Sequence, residues 1–354
     1  MLRLLAALFA SLALGRAAEP VTLTGRAMGT TWSAKFLPPP SPAPALDPAI
    51  VSARLAATLE HLEALFSTYR PESALSRFNT SSSTDWYPVS PELAHVALEA
   101  HRISDLTGGA FDATIDPLIR LWGFGPAGRR HTLPSDAEIA AARVRGDYRR
   151  LEVRRSPPAL RKSSAELSAD FSSLAKGYAA DTVSELLTSL GAPDHFVQIG
   201  GDIKTAGIHT WRTGIENPAP VSAPTALPAA AALAPPAPPS PPALARVVTL
   251  SDQALSTSGD SHNFMTVAGH RYGHIIDPRT GRPVAGSLAS VSVVHPSCAT
   301  SSALATALFV LGPDAGFALA TREHLAALFL VRDGASLVPR ATPEFARLSS
   351  SVPR

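Results

Sequence analysis

Apolar residues recur every three or four positions in several segments of the chain, which is the spacing of helices with one buried face. The first such segment runs from about residue 50 to residue 66. A second helix is predicted after Ser90, an N-cap residue followed by proline at the first helical position. A third begins at Ser135, which has capping-box spacing from Glu138. A fourth covers LAKGYAADTVSELLTSLGA and ends at Gly191.

Short stretches with β-branched residues or alternating polarity predict strands. Residues 21–37 predict a hairpin broken at Met28–Thr30, and residues 148–155 predict a half-exposed strand with a solvated arginine edge. Later strands are predicted at FVQIGG, VVTL, NFMTVAG, YGHIIDP and ASVSVV. Because helices come early and strands late, the pattern predicts one large α+β domain with a mainly antiparallel sheet and flanking helices.

One long segment has neither pattern. Residues 218–245 are mostly proline and alanine with some serine, and the first charge after them is at Arg246. This composition predicts a flexible, extended Pro/Ala-rich insertion in a surface loop. We therefore expect one domain over residues 19–345, interrupted by this insertion and followed by a disordered tail at residues 346–354.

Residues 1–18 have the layout of a secretory signal peptide. Arg3 precedes a short apolar run, and small residues follow at Ala17 and Ala18, where we expect cleavage. The run is too short to span a bilayer, and an uncleaved anchor is the alternative. The single cysteine, Cys298, lies far from this segment, so neither an internal disulfide nor a lipobox cysteine is expected. These features predict an exported, periplasmic protein that is peripheral to the membrane at most.

The composition is that of a globular protein, and the charge distribution argues against a nucleic-acid partner. Of the 354 residues, 45% are hydrophobic and 17% are charged, which is enough apolar material for one large core or two ordinary ones, and one substantial domain is the simpler interpretation. The 31 basic and 29 acidic residues give a net charge of +2 without long runs of like charge, so no nucleic-acid partner is expected. The sequence has no Walker A, HExxH or GxSxG motif and no GxGxxG after a strand.

Four clusters concentrate glycine and ionisable residues in otherwise apolar surroundings. Asp112 follows a glycine pair, and Asp170 and Lys176 flank the start of the fourth helix, where free N–H groups and a lysine suit a phosphate. Gly200–Asp202 lies between strands, and His274, a candidate base or ligand, precedes a turn. For each cluster the alternative is purely structural, as a helix cap or an ordinary turn. None of the clusters is specific alone.

Taken together and in order, these clusters resemble the flavin transferase (ApbE) family, the FAD:protein FMN transferases. The matching words extend from residue 28 to residue 312, nearly the whole chain after the leader. They are MGTTWS, FSTYRPESALSRFN, GGAFDATIDPLIRLWGFG, DFSSLAKGYAADTV, IGGDI, GIENP, ALSTSGD, HIIDPRTGRP and ALATALFVLG.

The resemblance implies an ApbE-like α+β fold and a phosphoryl-transfer reaction. Members of the family bind FAD as substrate, use Mg²⁺ to split its pyrophosphate, place FMN on a threonine hydroxyl of a target protein and release AMP. Phosphoryl transfer depends mainly on positioning and charge neutralisation, so a metal, a cationic side chain and a base suffice. The implied targets are flavoproteins such as subunits of ion-pumping NADH:quinone reductase or Rnf-type redox complexes.

The resemblance also implies roles for individual residues. His274 and Thr306 match catalytic positions, with His274 as an acid/base or phosphate-orienting group. The metal positions are the carbonyl of Ser173 and the side chains at 302 and 306. The positions that match FAD contacts are Met28, Tyr69, Ala110, Phe111, Asp112, Asp170, Lys176 and Ile275.

The chain departs from the family at one metal position. The family has an aspartate four residues before the threonine, but this chain has Ser302, and residues 283–313 contain no Asp or Glu. A hydroxyl is a poorer Mg²⁺ ligand than a carboxylate, and even changes around metal ligands typically weaken binding or activity by roughly 10–100-fold. The alternatives to the transferase are therefore an FAD-binding protein with weak or no transfer and an FAD pyrophosphatase.

This departure lies in an unusual segment, residues 298–312, which opens with hydroxyl residues and continues as an apolar helix capped by Gly312. We expect the hydroxyls of Thr300, Ser301 and Ser302 to face the FAD pyrophosphate and a bound metal, with Thr306 one turn further along.

Overall fold

The structure, a computed structural model, describes residues 19–39, 46–128, 130, 132–218, 243–334 and 336–349. The predicted leader, most of the Pro/Ala-rich insertion and residues 350–354 lie outside the described residues. The last residues of the predicted insertion belong to a strand that begins at Leu244.

The helices and strands occur in both halves of the chain. The helices are α1 (Pro48–Phe66), α2 (Ala74–Thr80), α3 (Pro91–Leu106), α4 (Asp116–Leu121), α5 (Asp136–Arg143), α6 (Ser172–Ser189), α7 (Cys298–Arg322) and α8 (Pro343–Ser349). The strands are β1 (Val21–Ala27), β2 (Thr30–Phe36), β3 (Tyr87–Pro88), β4 (Leu151–Arg154), β5 (Ala159–Lys162), β6 (His195–Ile199), β7 (Asp202–Ala206), β8 (Trp211–Glu216), β9 (Leu244–Leu250), β10 (Ala254–Gly259), β11 (Phe264–Val267), β12 (His270–Gly273), β13 (Ile276–Asp277), β14 (Arg282–Pro283), β15 (Leu288–His295), β16 (Ala326–Asp333) and β17 (Ser336–Ala341).

The central sheet has eight strands in the order β1-β2-β6-β7-β10-β15-β16-β17. Every neighbouring pair is antiparallel. The predicted α+β class with a mainly antiparallel sheet is therefore confirmed. Sequence analysis identified the β1–β2 hairpin and the capping box at Ser135, whose hydroxyl oxygen accepts the backbone N–H of Glu138. It did not identify β16 and β17, which complete one side of the sheet.

Both faces of the sheet are covered, and alternate residues of a strand enter different cores. In β6 and β16, Val197 and Phe329 belong to the main core, which also contains side chains of α1, α3, α6 and α7. Their neighbours Phe196 and Leu328 belong to a second core with residues of the β8–β9 ribbon and with Phe345 of α8. Residues 346–349, predicted as part of a disordered tail, instead continue α8, because this helix covers the second core.

A close contact between α6 and α7 fixes the part of the main core that matters for function. At Gly177 an added Cβ would lie 2.4 Å from the carbonyl oxygen of Cys298, so only glycine allows this approach. The carboxylate of Asp181 accepts the backbone N–H groups of Cys298 at 2.9 Å and of Ala299 at 3.0 Å, and the hydroxyl of Ser297 at 3.0 Å. A carboxylate on α6 therefore caps α7 and holds the starts of the two helices together.

By length and composition α7 could cross a membrane. However, 56% of its most apolar 18-residue stretch is buried inside the protein, as in the core helix of a folded domain. The helix does not end at Gly312 as the sequence predicted. The backbone breaks there, with φ 82°, and helical structure resumes at Pro313 and continues to Arg322.

A third, smaller core joins α4 and α5 to the β11–β12 and β13–β14 hairpins. It contains Trp122, Ile139, Met265 and Ile276, and the indole N–H of Trp122 donates to the carbonyl of Gly281 at 2.8 Å. The segment between β12 and β13, which carries His274, is therefore anchored on both sides.

Candidate functional site

Three residues from separate parts of the chain meet where the third core joins the main body. The Tyr69 hydroxyl donates to the carbonyl of Phe124 at 3.2 Å, and the Phe124 ring lies edge-on to the imidazole of His274, with centroids 6.4 Å apart. Tyr69 is 65% exposed, so most of its ring is open to a ligand. Burial of the phenol raises the pKa of Tyr69, and the negative charge of Asp170 raises it further.

The tautomer of His274 follows from one hydrogen bond. Its Nδ1 lies 2.9 Å from the carbonyl oxygen of Asn263, which can only accept, so Nδ1 carries the proton and Nε2 presents a lone pair. Burial lowers the pKa of His274 below its usual 6.5, and the nearby positive charge of Lys176 lowers it further. The imidazole is therefore neutral at neutral pH and able to accept a proton at Nε2.

The start of α6 places the predicted anion-binding residues together. Asp170 accepts the backbone N–H of Ser172 at 2.7 Å and so fixes the beginning of the helix. Burial raises the pKa of the Asp170 carboxyl, against the hydrogen bonds from Ser172. One turn into the helix, the Lys176 ammonium donates to the carbonyl of Ser172 at 3.3 Å. This long contact leaves donors of the ammonium open to a phosphate.

Two turns lie beside Lys176. Gly200 has φ +59°, and an added Cβ there would lie 3.2 Å from the hydroxyl oxygen of Thr30 and 3.8 Å from Cδ of Lys176. Thr30 begins β2 directly after the turn of Met28 and Gly29, where Met28 has φ 52° and its N–H donates to Glu63 at 3.1 Å. Met28, a predicted FAD contact, and the turn at Gly200–Asp202 therefore both lie near the start of α6.

The predicted residues Ala110, Phe111, Asp112 and Ile275 lie mainly in the interior. Ala110, Phe111 and Ile275 are buried in the main core. Asp112 accepts the backbone N–H and the hydroxyl of Thr114, both at 2.6 Å, and the N–H of Tyr148 at 3.1 Å. Burial raises the pKa of this carboxyl, against these hydrogen bonds. The Asp112 side chain therefore holds two loops together, and its predicted FAD contact stays a prediction.

The expectation that all three hydroxyls at the start of α7 face a ligand is wrong for two of them. The Thr300 hydroxyl donates to Glu99 at 2.6 Å, and the Ser301 hydroxyl donates to the carbonyl of Val293 at 2.7 Å. Both side chains attach α7 to neighbouring elements because a buried hydroxyl needs a partner. The Ser302 hydroxyl has no hydrogen-bond partner among the described residues, although Ser302 is only 8% exposed.

Thr306 is linked to Ser302 and to the sheet. Its hydroxyl donates to the carbonyl of Ser302 at 3.2 Å and lies 3.0 Å from the Ser258 hydroxyl at the end of β10. Either hydroxyl can donate in the second bond, and in both cases at least one lone pair of the Thr306 oxygen stays available. Ser258 belongs to the ALSTSGD word, but sequence analysis gave it no role.

The three predicted metal positions do not by themselves fit Mg²⁺. Ser173, the second residue of α6, offers a carbonyl, while Ser302 and Thr306 offer hydroxyls, so every donor is neutral. Mg²⁺ in proteins is usually held through one or two carboxylates. Among the described residues, no group of three His, Cys, Asp or Glu side chains is arranged to hold a metal ion.

Comparison with protein families and curated sequences gives consistent matches. The model of the ApbE family matches residues 28–329. The FAD:protein FMN transferase of Vibrio cholerae is 36% identical over 319 residues, which cover 89% of this chain and 88% of that protein. The FAD:protein FMN transferase of Escherichia coli K12 is 32% identical over 338 residues, covering 93% of this chain and 89% of that protein.

Solved structures agree with these matches. The flavin transferase ApbE from Vibrio cholerae has a TM-score of 0.80 and 34% identity, covering 94% of this chain and 99% of that chain. The flavinyl transferase ApbE from Pseudomonas stutzeri, in its apo form, has the same TM-score and identity and covers 94% and 98%. The ApbE protein from Thermotoga maritima, at 24% identity and a TM-score of 0.77, shows the shared fold alone.

Proposed function

Since the chain belongs to the ApbE family, we propose that it transfers FMN from FAD to a threonine hydroxyl of target flavoproteins and releases AMP, with a requirement for Mg²⁺. The single observation that carries the proposal is the His274 imidazole, whose Nε2 lone pair is fixed by the Asn263 carbonyl and lies within electrostatic reach of Lys176. A base and a cation at one site are what transfer of a phosphoryl group to a hydroxyl needs.

The proposed step makes and breaks one bond at phosphorus. The threonine oxygen of the target forms a bond to the phosphorus of the FMN half, and the bond from that phosphorus to the bridging oxygen of AMP breaks. The proton of the hydroxyl passes to Nε2 of His274, and AMP leaves with the bridging oxygen. Lys176 donates hydrogen bonds to phosphate oxygens and compensates their negative charge. The exposed ring of Tyr69 offers a surface on which the flavin stacks.

The requirement for Mg²⁺ is proposed from family membership, and no step is assigned to the metal because the three predicted positions are all neutral oxygens. That same observation favours a second candidate function. A protein that binds FAD but lacks a charged metal ligand would transfer FMN weakly or not at all, or would hydrolyse FAD to FMN and AMP.

An assay with FAD, Mg²⁺ and a purified target flavoprotein domain separates these functions. We expect covalent flavin fluorescence on the target after denaturing electrophoresis, on a threonine that peptide mass spectrometry identifies. Measurable FAD binding without labelling at any Mg²⁺ concentration would establish the non-transferring protein. Free FMN and AMP without labelling would establish the hydrolase.

Substitution of Lys176 by alanine tests the phosphate contact. Because a hydrogen bond to a charged group contributes about 1.5–3 kcal/mol, we expect FAD to bind about tenfold more weakly or worse, as measured by quenching of flavin fluorescence. Riboflavin, which lacks phosphates, should bind the variant and the parent equally. Lys35→Ala, which removes an exposed lysine over the Phe196 ring, is the matched control. Unchanged FAD affinity in the Lys176 variant would show that this lysine does not contact the phosphates and lies in solvent on the helix surface.

The location and the targets are also proposals. The signal-like leader supports export to the periplasm, where the protein would be at most peripheral to the membrane. Exported subunits of redox complexes, such as ion-pumping NADH:quinone reductase or Rnf-type complexes, are the proposed targets of flavinylation.

A further inference from the structure

Two strands of the central sheet separate beside Cys298, the first residue of α7. The β7–β10 ladder contains only the pairs Lys204↔Ala254 and Ile203↔Leu255. On its other side β10 continues to pair with β15 as far as Gly259. From Ser256 onward β10 is therefore no longer paired with β7, whose first residue is Asp202. An added Cβ at Gly201 would meet nothing within 4 Å, which shows that there is open space in the turn at Gly200–Asp202.

Asp202, the first residue of β7, points to the helix-covered face of the sheet. Its neighbour Ile203 lies in the second core on the opposite face, and strand alternation places Asp202 and Lys204 together on the face of α6 and α7. Lys204 confirms this direction, since its ammonium donates to the carbonyl of Pro296 just before α7 at 2.7 Å.

The Asp202 carboxylate has no protein partner among the described residues, and the residue has little contact with solvent. The residue is only 5% exposed, and no hydrogen bond or ion pair of its side chain occurs within the described part of the chain. Withdrawing a carboxylate from water is unfavourable unless a hydrogen bond or an opposite charge replaces the lost water. The accessible oxygens of Asp202 are therefore free to bind a cation or to accept a donor from a ligand.

Contacts of Cys298 place this carboxylate beside the first turn of α7. The Cys298 thiol donates to the carbonyl of Ile203 at 3.4 Å, and its sulfur lies 3.8 Å from the Ser256 hydroxyl. Burial raises the pKa of this thiol far above its usual value, and the charge of Asp202 is the next cause. Ser302 is four residues further along the same helix face, about 6 Å along the axis.

We propose that Asp202 supplies the carboxylate ligand that position 302 lacks, so that Asp202, Ser302 and Thr306 together form the protein side of a divalent-cation site. One carboxylate with neutral oxygens and substrate phosphates is a normal donor set for Mg²⁺. The inference rests on the proposed function for its metal, but it concerns metal binding alone and is tested without a target protein.

The test is a titration with Mn²⁺, a paramagnetic substitute for Mg²⁺, with free Mn²⁺ measured by electron paramagnetic resonance in the presence of FAD. In Asp202→Asn we expect the Kd for Mn²⁺ to rise at least about tenfold. The matched control is Asp252→Asn, which removes the same charge from an exposed turn whose φ of 52° asparagine tolerates. The control should bind Mn²⁺ as the parent does.

Two further readouts separate a ligand from a structural residue. Without metal, the D202N variant should melt at the same temperature as the parent or higher, because the substitution breaks no hydrogen bond or ion pair among the described residues, and its affinity for riboflavin should be unchanged. In the D202N/S302D double variant the carboxylate returns to the neighbouring position, and Mn²⁺ affinity should recover to that of the parent or better.

Three results would overturn the proposal. They are unchanged Mn²⁺ affinity in D202N, no recovery in the double variant, and no Mn²⁺ binding by the parent protein with FAD. A D202N protein that does not fold would show that the carboxylate is structural and would equally overturn it. Failure of FMN transfer in the target assay leaves the metal-binding results unaffected, so the two failures are distinguishable.

Discussion

Replacing His274 by asparagine is expected to slow FMN transfer by about 10²–10⁴-fold, the usual contribution of a positioned general base. Asparagine keeps a polar side chain but has no lone pair of comparable basicity to take the proton of the threonine hydroxyl. FAD affinity should change little, because the proposed phosphate contact is that of Lys176. The measurement is a single-turnover assay of flavin fluorescence on the target at saturating FAD and Mg²⁺.

The control for this prediction is His270→Asn, which changes an exposed histidine of the β11–β12 hairpin, directly before the segment that carries His274. It should transfer FMN at the rate of the parent protein. A rate in the His274 variant within about twofold of the parent would exclude a base at this position and leave the imidazole with an orienting role.

The pH dependence of the rate has a definite sign. Burial and the charge of Lys176 lower the pKa of His274, whereas its hydrogen bond to Asn263 and the charge of Asp260 raise it, and His262 is a further charge when protonated. The net shift is downward from 6.5, so the base is neutral and active above that pH. We expect the rate to be flat above pH 6.5 and to fall only below it as Nε2 is protonated. The acid limb should be absent in the variant.

Replacing Ser302 by aspartate is expected to raise Mg²⁺ affinity by about tenfold or more and to speed FMN transfer when Mg²⁺ is limiting. The Ser302 hydroxyl has no partner among the described residues, and it lies one turn from Thr306, so a carboxylate there would join the same donor set. Mn²⁺ titration gives the affinity, and the flavin fluorescence assay at several Mg²⁺ concentrations gives the rate.

Ser302→Asn is the matched control, since asparagine has nearly the size of aspartate but no charge, and it should give neither gain. Without metal, the aspartate variant should unfold at a lower temperature, because its new charge lies at a position that is only 8% exposed, and Mg²⁺ should restore the loss. Unchanged Mg²⁺ affinity in the aspartate variant would show that residue 302 is not a ligand position.

The fold class was predictable because the patterns that indicate helices and strands are local. The family was predictable because its short sequence motifs occur in a fixed order along the chain. Capping at Ser135, helical spacing in α1 and the break at Met28–Thr30 depend on neighbours a few residues away. The predicted antiparallel α+β fold and the resemblance to ApbE are both confirmed. The individual contacts to FAD and metal stay predictions.

The sequence by itself thus predicted α1, α3, α5, α6 and the first part of α7, about half of the strands, the family, and the absence of a carboxylate at position 302. Only the tertiary structure separated Ser302 from Thr300 and Ser301, because the partners of those two hydroxyls, Glu99 and Val293, come from other elements. It alone placed Asp202 near α7, since the distance between them depends on which strands pair and where β7 and β10 part. Local patterns fix an element and its buried face, whereas the neighbours of a polar group depend on packing between elements far apart in the chain.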